Sequence, residues 1–166
     1  MEKVYIGIDN GVSGSIGILT ESNRDNLFIK TPVVSELDYT KEKKKVTRLD
    51  VRQFYNLLVP FVGMDCVAIL ERPMVFPGRW VATLSAIRCH EATIIILDLI
   101  EIPYIYIDSR EWQKVLLPKD CEKEMLKKES LKIGNTLYPT FSNVKHPDRD
   151  GLLIAEYYKR KYEGKV

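Results

Sequence analysis

An α/β fold, a mixed five-stranded sheet with helices on both faces, is what the order of elements along this chain predicts. Three observations carry that prediction. The opening stretch Val4 to Gly17, VYIGIDNGVSGSIG, reads as two strands joined by a tight turn. The apolar run Asp65 to Leu70, DCVAIL, is too short for a helix and leads through Glu71 into Arg72-Pro73, which marks it as a buried strand. Beyond it, helical spacing alternates with one further strand, the pattern that adds parallel strands to an antiparallel opening.

In the first strand Val4, Ile6 and Ile8 fall on one face, and Tyr5, Gly7 and Asp9 on the other. Gly7 is expected to leave open space beside the Asp9 carboxylate. Asn10-Gly11 and Ser13-Gly14 are expected to supply positive-φ residues for the reversal. Leu27 to Ile29 gives a third antiparallel strand, and Thr31 to Thr47 reads as a polar, lysine-rich, mobile loop. Leu49 to Phe61 recovers helical spacing, with Pro60 near its stop. Arg72 to Arg79 should be an ordered, irregular loop. Trp80 to Glu101 reads as a long helix with two apolar stripes, one through Ala82, Ala86, Cys89, Thr93, Ile96, Leu97 and Ile100, the other through Leu84, Ile87, Ile94 and Ile95. Pro103 ends it, and Tyr104 to Ile107 is the last strand. Ser109 caps a short helix to Leu117. Glu122 to Leu137 and Asp148 to Tyr162 complete the chain as helices.

The 166 residues suit one domain spanning 1–166, and 45% hydrophobic with 29% charged residues is an ordinary globular composition. No apolar run reads as long and charge-free enough to cross a bilayer, and no signal peptide precedes the first strand, so the expected location is cytoplasmic. Three widely spaced cysteines, Cys66, Cys89 and Cys121, fit reduced thiols, and no CxxC pair suggests zinc. The net charge of +2 is no nucleic-acid signature. Its distribution is more telling: KEKKKVTR, Lys41 to Arg48, sets five cations against one anion.

Three acidic positions occupy related places in this topology. Asp9 ends the first strand, and Glu71 ends the strand after the first helix, on the face of Val67 and Ile69. Asp150, with Asp148, opens the final helix. With those two strands adjacent and the helix packed on that face, the carboxylates would share a pocket. Their repulsion would raise at least one pKa unless a hard divalent cation intervened, and oxygen-only ligands point to Mg2+ or Mn2+. Taken singly, Asp148 or Asp150 also fits a helix cap, Glu71 an ion-paired strand end, and His146 a surface loop residue.

IGIDNGVSGSIGIL (Ile6 to Leu19), AILERPMVFPGR (Ala68 to Arg79), IPYIYIDSREWQKVL (Ile102 to Leu116) and HPDRDGLLIAEYYKRK (His146 to Lys161) together resemble the RuvC family of Holliday junction resolvases, within the ribonuclease H-like fold. The likeness in element order covers essentially the whole chain and is greatest to compact phage- and prophage-type members. It implies four catalytic, metal-holding residues: Asp9, Glu71, Asp148 and Asp150. Asp148 stands two residues before Asp150, where the family more usually spaces the pair by three, so His146 is the substitute for that position. It further implies a homodimer formed through the Trp80–Glu101 helix, four-way junction DNA as substrate, and symmetric nicks leaving 5′-phosphates.

The expected mechanism is in-line attack by a metal-activated water, with two ions about 4 Å apart. Asp9 and Asp150 would hold one, and Glu71 and Asp148 would complete the pair. Phe76 or Trp80 would act as a wedge at the junction, beside Arg79. Lys114, Lys119, Lys123 and Lys127 would neutralise phosphates. Two rivals remain: a nuclease of the same fold acting on RNA or an RNA–DNA hybrid, and an inactive module that grips branched DNA. An ATPase of the actin-like or sugar-kinase type is excluded by length and by the lack of a second phosphate loop.

Overall fold

Alternation in the first strand settles which layers the sheet must separate. The computed structural model describes residues 2–166. Strands β1 (Val4–Ile8), β2 (Ser15–Thr20) and β3 (Leu27–Lys30) form an antiparallel meander. Next come β4 (Val33–Leu37), β5 (Lys45–Leu49) and helix α1 (Val51–Leu58). The chain continues as β6 (Cys66–Glu71), α2 (Trp80–Leu99), β7 (Tyr104–Ile107), α3 (Ser109–Leu116), α4 (Leu126–Leu137) and α5 (Asp150–Tyr162). The main sheet has five strands in the order β3-β2-β1-β6-β7, with β6 parallel to both β1 and β7. This is the mixed sheet of three antiparallel and then parallel strands read from the sequence.

Val4, Ile6 and Ile8 pack with Ile16, Ala68 and Leu70 under α1 and α2, where Phe54, Leu58, Cys89 and Leu97 close the layer. Tyr5 and Ile69 turn to the opposite face, against Trp112 of α3 and Leu152, Leu153 and Ile154 of α5. Helices therefore cover both faces.

Several local expectations change. Residues 31–47 are not a loop: β4 and β5 pair as a separate hairpin, from Val33↔Leu49 to Leu37↔Lys45. Leu49 thus ends a strand, and Asp50 caps α1 by accepting from the Gln53 N–H at 3.0 Å. Asp108, not Ser109, caps α3, in a reciprocal capping box with Glu111. A 3-10 turn (Lys123–Met125) replaces the expected start of α4, and α5 begins at Asp150 rather than Asp148. Helix α2 stops at Leu99, and Glu101 turns left-handed at φ 58°. In the β1–β2 turn Gly11 has positive φ (129°), whereas Asn10, Ser13 and Gly14 do not.

Gly7 does not leave open space. A Cβ there would lie 2.1 Å from the Gly151 carbonyl oxygen and 2.5 Å from the Ala155 nitrogen. Gly17 is equally close, 2.4 Å from the Leu152 Cα. The backbone of α5 therefore lies directly on β1 and β2, which brings its first residues to the end of β1. Gly151 N–H completes the seat by donating to Ser15 Oγ at 3.1 Å.

Helix α2 buries Thr83, Cys89, Thr93, Ile96 and Leu97. Ala82, expected on the same stripe, is exposed. Of the second stripe, Ile87 and Ile95 stay exposed and Leu84 and Ile94 half-buried. Contrary to the sequence reading, α2 is long and apolar enough, by length and composition, to cross a membrane. It forms one layer of the core and carries Arg88 and Glu91 at mid-length.

Candidate metal centre

The site is built where β1 ends and α5 begins. Asp9 follows β1, and its N–H still pairs with the Ser15 carbonyl at 3.0 Å, so the carboxylate leaves a rigid strand end. Asp148 and Asp150 flank Arg149 at the start of α5. Asp9, Asp148 and Asp150 each present a carboxylate oxygen, and these three oxygens lie within 4.8 Å of one another. Glu71 ends β6. Carrying the β1–β6 register one step past Ile8↔Leu70 sets it beside Asp9. It remains outside the close triple, and its Oε2 accepts from Trp112 Nε1 at 2.9 Å.

The charge is poorly compensated. Burial, with Asp150, Glu71 and Asp148 close by, raises the Asp9 pKa well above the usual carboxylate range. Burial and then Asp148 push Asp150 up to about 7, against the opposing effect of a hydrogen bond from Ser130. Glu71 is also raised, chiefly by burial, while the Trp112 bond pulls it down. Asp148 is fully buried; Lys127 Nζ lies 3.4 Å from its Oδ2 and His146 Nδ1 3.1 Å from its Oδ1. A buried, all-oxygen donor set with excess negative charge fits a hard divalent cation such as Mg2+ or Mn2+, and gives zinc none of the nitrogen or sulfur it prefers.

His146 stands behind Asp148. Its Nε2 faces the Ser13 carbonyl at 3.3 Å, and its ring meets Phe28 edge-on at 5.9 Å. Both ring nitrogens are thus turned toward oxygens of the protein itself.

Arg149 escaped the sequence reading. It is fully buried, and its guanidinium donates to the carbonyls of Phe141 (2.9 Å), Val144 (3.0 Å), His146 (3.3 Å) and Asp148 (2.9 Å). Nε donates to Asn135 Oδ1 at 3.0 Å, and the group stacks over Phe28. One side chain thereby fixes the segment that presents His146 and Asp148. In sequence it reads as a solvated cation between two aspartates. Ser130, which donates to Asp150 and accepts the Arg149 N–H, gave no signal either.

The other candidates spread outward from the centre. Phe76, Arg79 and Trp80 are exposed at the loop before α2, where the Thr83 hydroxyl bridges Phe76 N–H and carbonyl at 3.1 and 3.2 Å. Lys114, Lys119 and Lys123 are exposed along α3 and the turn after it. Lys127 differs from them in its contact with Asp148.

No family model matches this sequence, and no curated protein matches it. Among solved structures, "T. thermophilus RuvC in complex with Holliday junction substrate" is similar at a TM-score of 0.57 and 11% identity, covering 98% of this chain and 97% of that one. "Thermus thermophilus RuvC structure" is similar at a TM-score of 0.58 and 14% identity, with the same coverage. This chain has the ribonuclease H-like fold found in RuvC.

Proposed function

We propose that this protein is a metal-dependent, structure-selective DNA endonuclease that resolves four-way junctions by paired symmetric nicking. The observation that carries the reading is the carboxylate triple of Asp9, Asp148 and Asp150 at the end of β1, on a fold shared with a protein solved on Holliday junction DNA. Asp9 and Asp150 would hold one divalent ion, with Asp148 and Glu71 completing the set for a second. Bound there, the ions would supply Lewis-acid activation of water and charge stabilisation at the scissile phosphate.

The protein's own side chains do the rest. Trp112 orients the Glu71 carboxylate, Ser130 orients Asp150, and Arg149 with His146 holds Asp148 in place. Arg79, Lys114, Lys119 and Lys123 lie exposed to neutralise backbone phosphates without reading sequence. Phe76 or Trp80 is suited to wedge the open centre of the junction. The unburied apolar face of α2 suits contact with a second copy, which two symmetric cuts require. A cytoplasmic, DNA-acting role, whether in a phage or a host, accords with this assignment.

Labelled junctions incubated with and without Mg2+ test it. Asp9→Asn and Glu71→Gln should lose cleavage by a factor of about 100 or more while retaining junction binding. Undiminished cleavage by either variant contradicts the assignment. Linear duplex, RNA–DNA hybrid and single-stranded RNA run in parallel would expose a different substrate.

A further inference from the structure

The β4–β5 hairpin takes no part in the metal centre, yet it springs from beside it. Thr31 N–H donates to the Gly14 carbonyl at 3.0 Å, and a Cβ on Gly14 would lie 3.1 Å from Asp9 Oδ2. From that root the hairpin lies against α2, enclosing a cleft lined by Leu37, Tyr39, Leu49, Ser85, Arg88 and Ile95.

Its tip is ordered. Asp38 accepts from the Thr40 N–H at 3.1 Å and the Thr40 hydroxyl at 2.6 Å, and its own N–H donates to the Lys44 carbonyl at 2.8 Å. On this fixed turn Tyr39 is 91% exposed. Lys44 pairs with Glu42 and Arg48 with Glu36. Lys41, Lys43 and Lys45 are exposed and have no carboxylate partner among the described residues.

We infer that this hairpin tip is a second DNA contact, which grips the sugar–phosphate backbone of a duplex arm leaving the metal centre through Lys41, Lys43, Lys45 and Tyr39. The inference rests on the junction-DNA reading above and extends it to a surface outside the centre. Extended chain from Thr31 to Asp38 reaches about 23 Å, so the tip stands within about 30 Å of the carboxylates. Along a duplex that is about nine base pairs, within one arm of a junction. Unpaired ammonium groups beside an exposed tyrosine match a phosphate backbone, which both residue types contact. Contact with another copy of the chain is less consistent with this composition, because lysine is depleted from the cores of protein interfaces.

The test uses the full chain carrying Asp9→Asn, so that DNA stays intact, with a fluorescent four-way junction titrated across a series of salt concentrations. Adding Lys41→Ala, Lys43→Ala and Lys45→Ala together should weaken binding about tenfold at 100 mM salt and reduce the log–log salt slope by about 2 to 3. Tyr39→Ala should weaken binding with little change in slope. Circular dichroism and sedimentation of each variant check folding and mass. An unmoved affinity and slope, with normal junction binding by the parent, overturns this inference alone. A parent that binds no junction overturns it together with the function. A triple variant that changes mass in solution but keeps its DNA affinity assigns the hairpin to contact between copies, and overturns the inference too.

Discussion

Three carboxylates within 4.8 Å of one another, half or fully buried, make protonation and stability interdependent at this site. Asp150 stands near 7 in the folded protein against an ordinary 3.8, and Asp9 is raised as well. The folded state therefore binds these protons more tightly than the unfolded chain. The resulting stability is present below about pH 4 and is lost as pH rises through about 7. In chelator, Tm should fall between pH 5 and 8, and Mg2+ should raise Tm more at pH 8 than at pH 5.5. Asp150→Asn should flatten the fall; thermal melts across that range decide it, and an unchanged slope would remove Asp150 as its source. Arg149 acts on the same centre through backbone. Arg149→Met would remove the guanidinium bonds to four carbonyls, of which Phe141 and Val144 still accept from the N–H groups of Val144 and His146, at a cost of about 2 to 3 kcal/mol. Arg149→Lys should retain more stability yet lose most of the Mg2+-induced rise in Tm. An undiminished rise would mean that Asp148 is positioned without the guanidinium.

At the level of elements, the contact of α5 on β1 and β2 sets where Asp150 lies. Gly7→Ala would force a methyl into the Gly151 carbonyl, a backbone atom with no means of yielding. The expected cost is about 1 to 3 kcal/mol or more, with cleavage falling further than stability because the helix start shifts relative to Asp9. A Gly7→Ala protein with wild-type Tm and rate would show that α5 has slack. This contact also marks the boundary of what the sequence made legible. Alternation in Val4–Ile8 and the short run before Arg72-Pro73 revealed the strands because each buries one or both faces. The β4–β5 hairpin stayed hidden because its strands are mostly exposed and its turn is lysine-rich, so no apolar period betrays them; Leu49 is the buried residue among them. Gly7 was assigned space because its spatial neighbour Gly151, bonded to Ser15 across 136 residues of chain, has no local signature. Asp108 could have been preferred over Ser109 by noticing Glu111 three residues on, the capping-box spacing.

Across the whole molecule, one helix leaves large apolar side chains uncovered at both ends. Trp80, Val81, Ile95 and Leu99 of α2 are 69%, 81%, 51% and 74% exposed, the kind of surface that marks an interaction site when it is contiguous. Sedimentation at micromolar concentration should find a dimer. Ile95→Glu with Leu99→Glu should shift it to the monomer and uncouple the two nicks of a junction, while a single-copy wild-type protein would refute the interface. The glycine seat and the start of α5 lie on the opposite face of the sheet from α2, so the effects of Arg149 and Gly7 variants should add to those of the α2 variants. The glycine seat has one more consequence, for the order in which the protein comes into being. Its two halves are the first hairpin and the final helix, so a ribosome must have delivered nearly everything before β1 acquires Asp150 as a neighbour. A chain abandoned before Asp148 carries Asp9 and Glu71 without their partners, and the proposed cutting activity is thereby withheld from every incomplete copy.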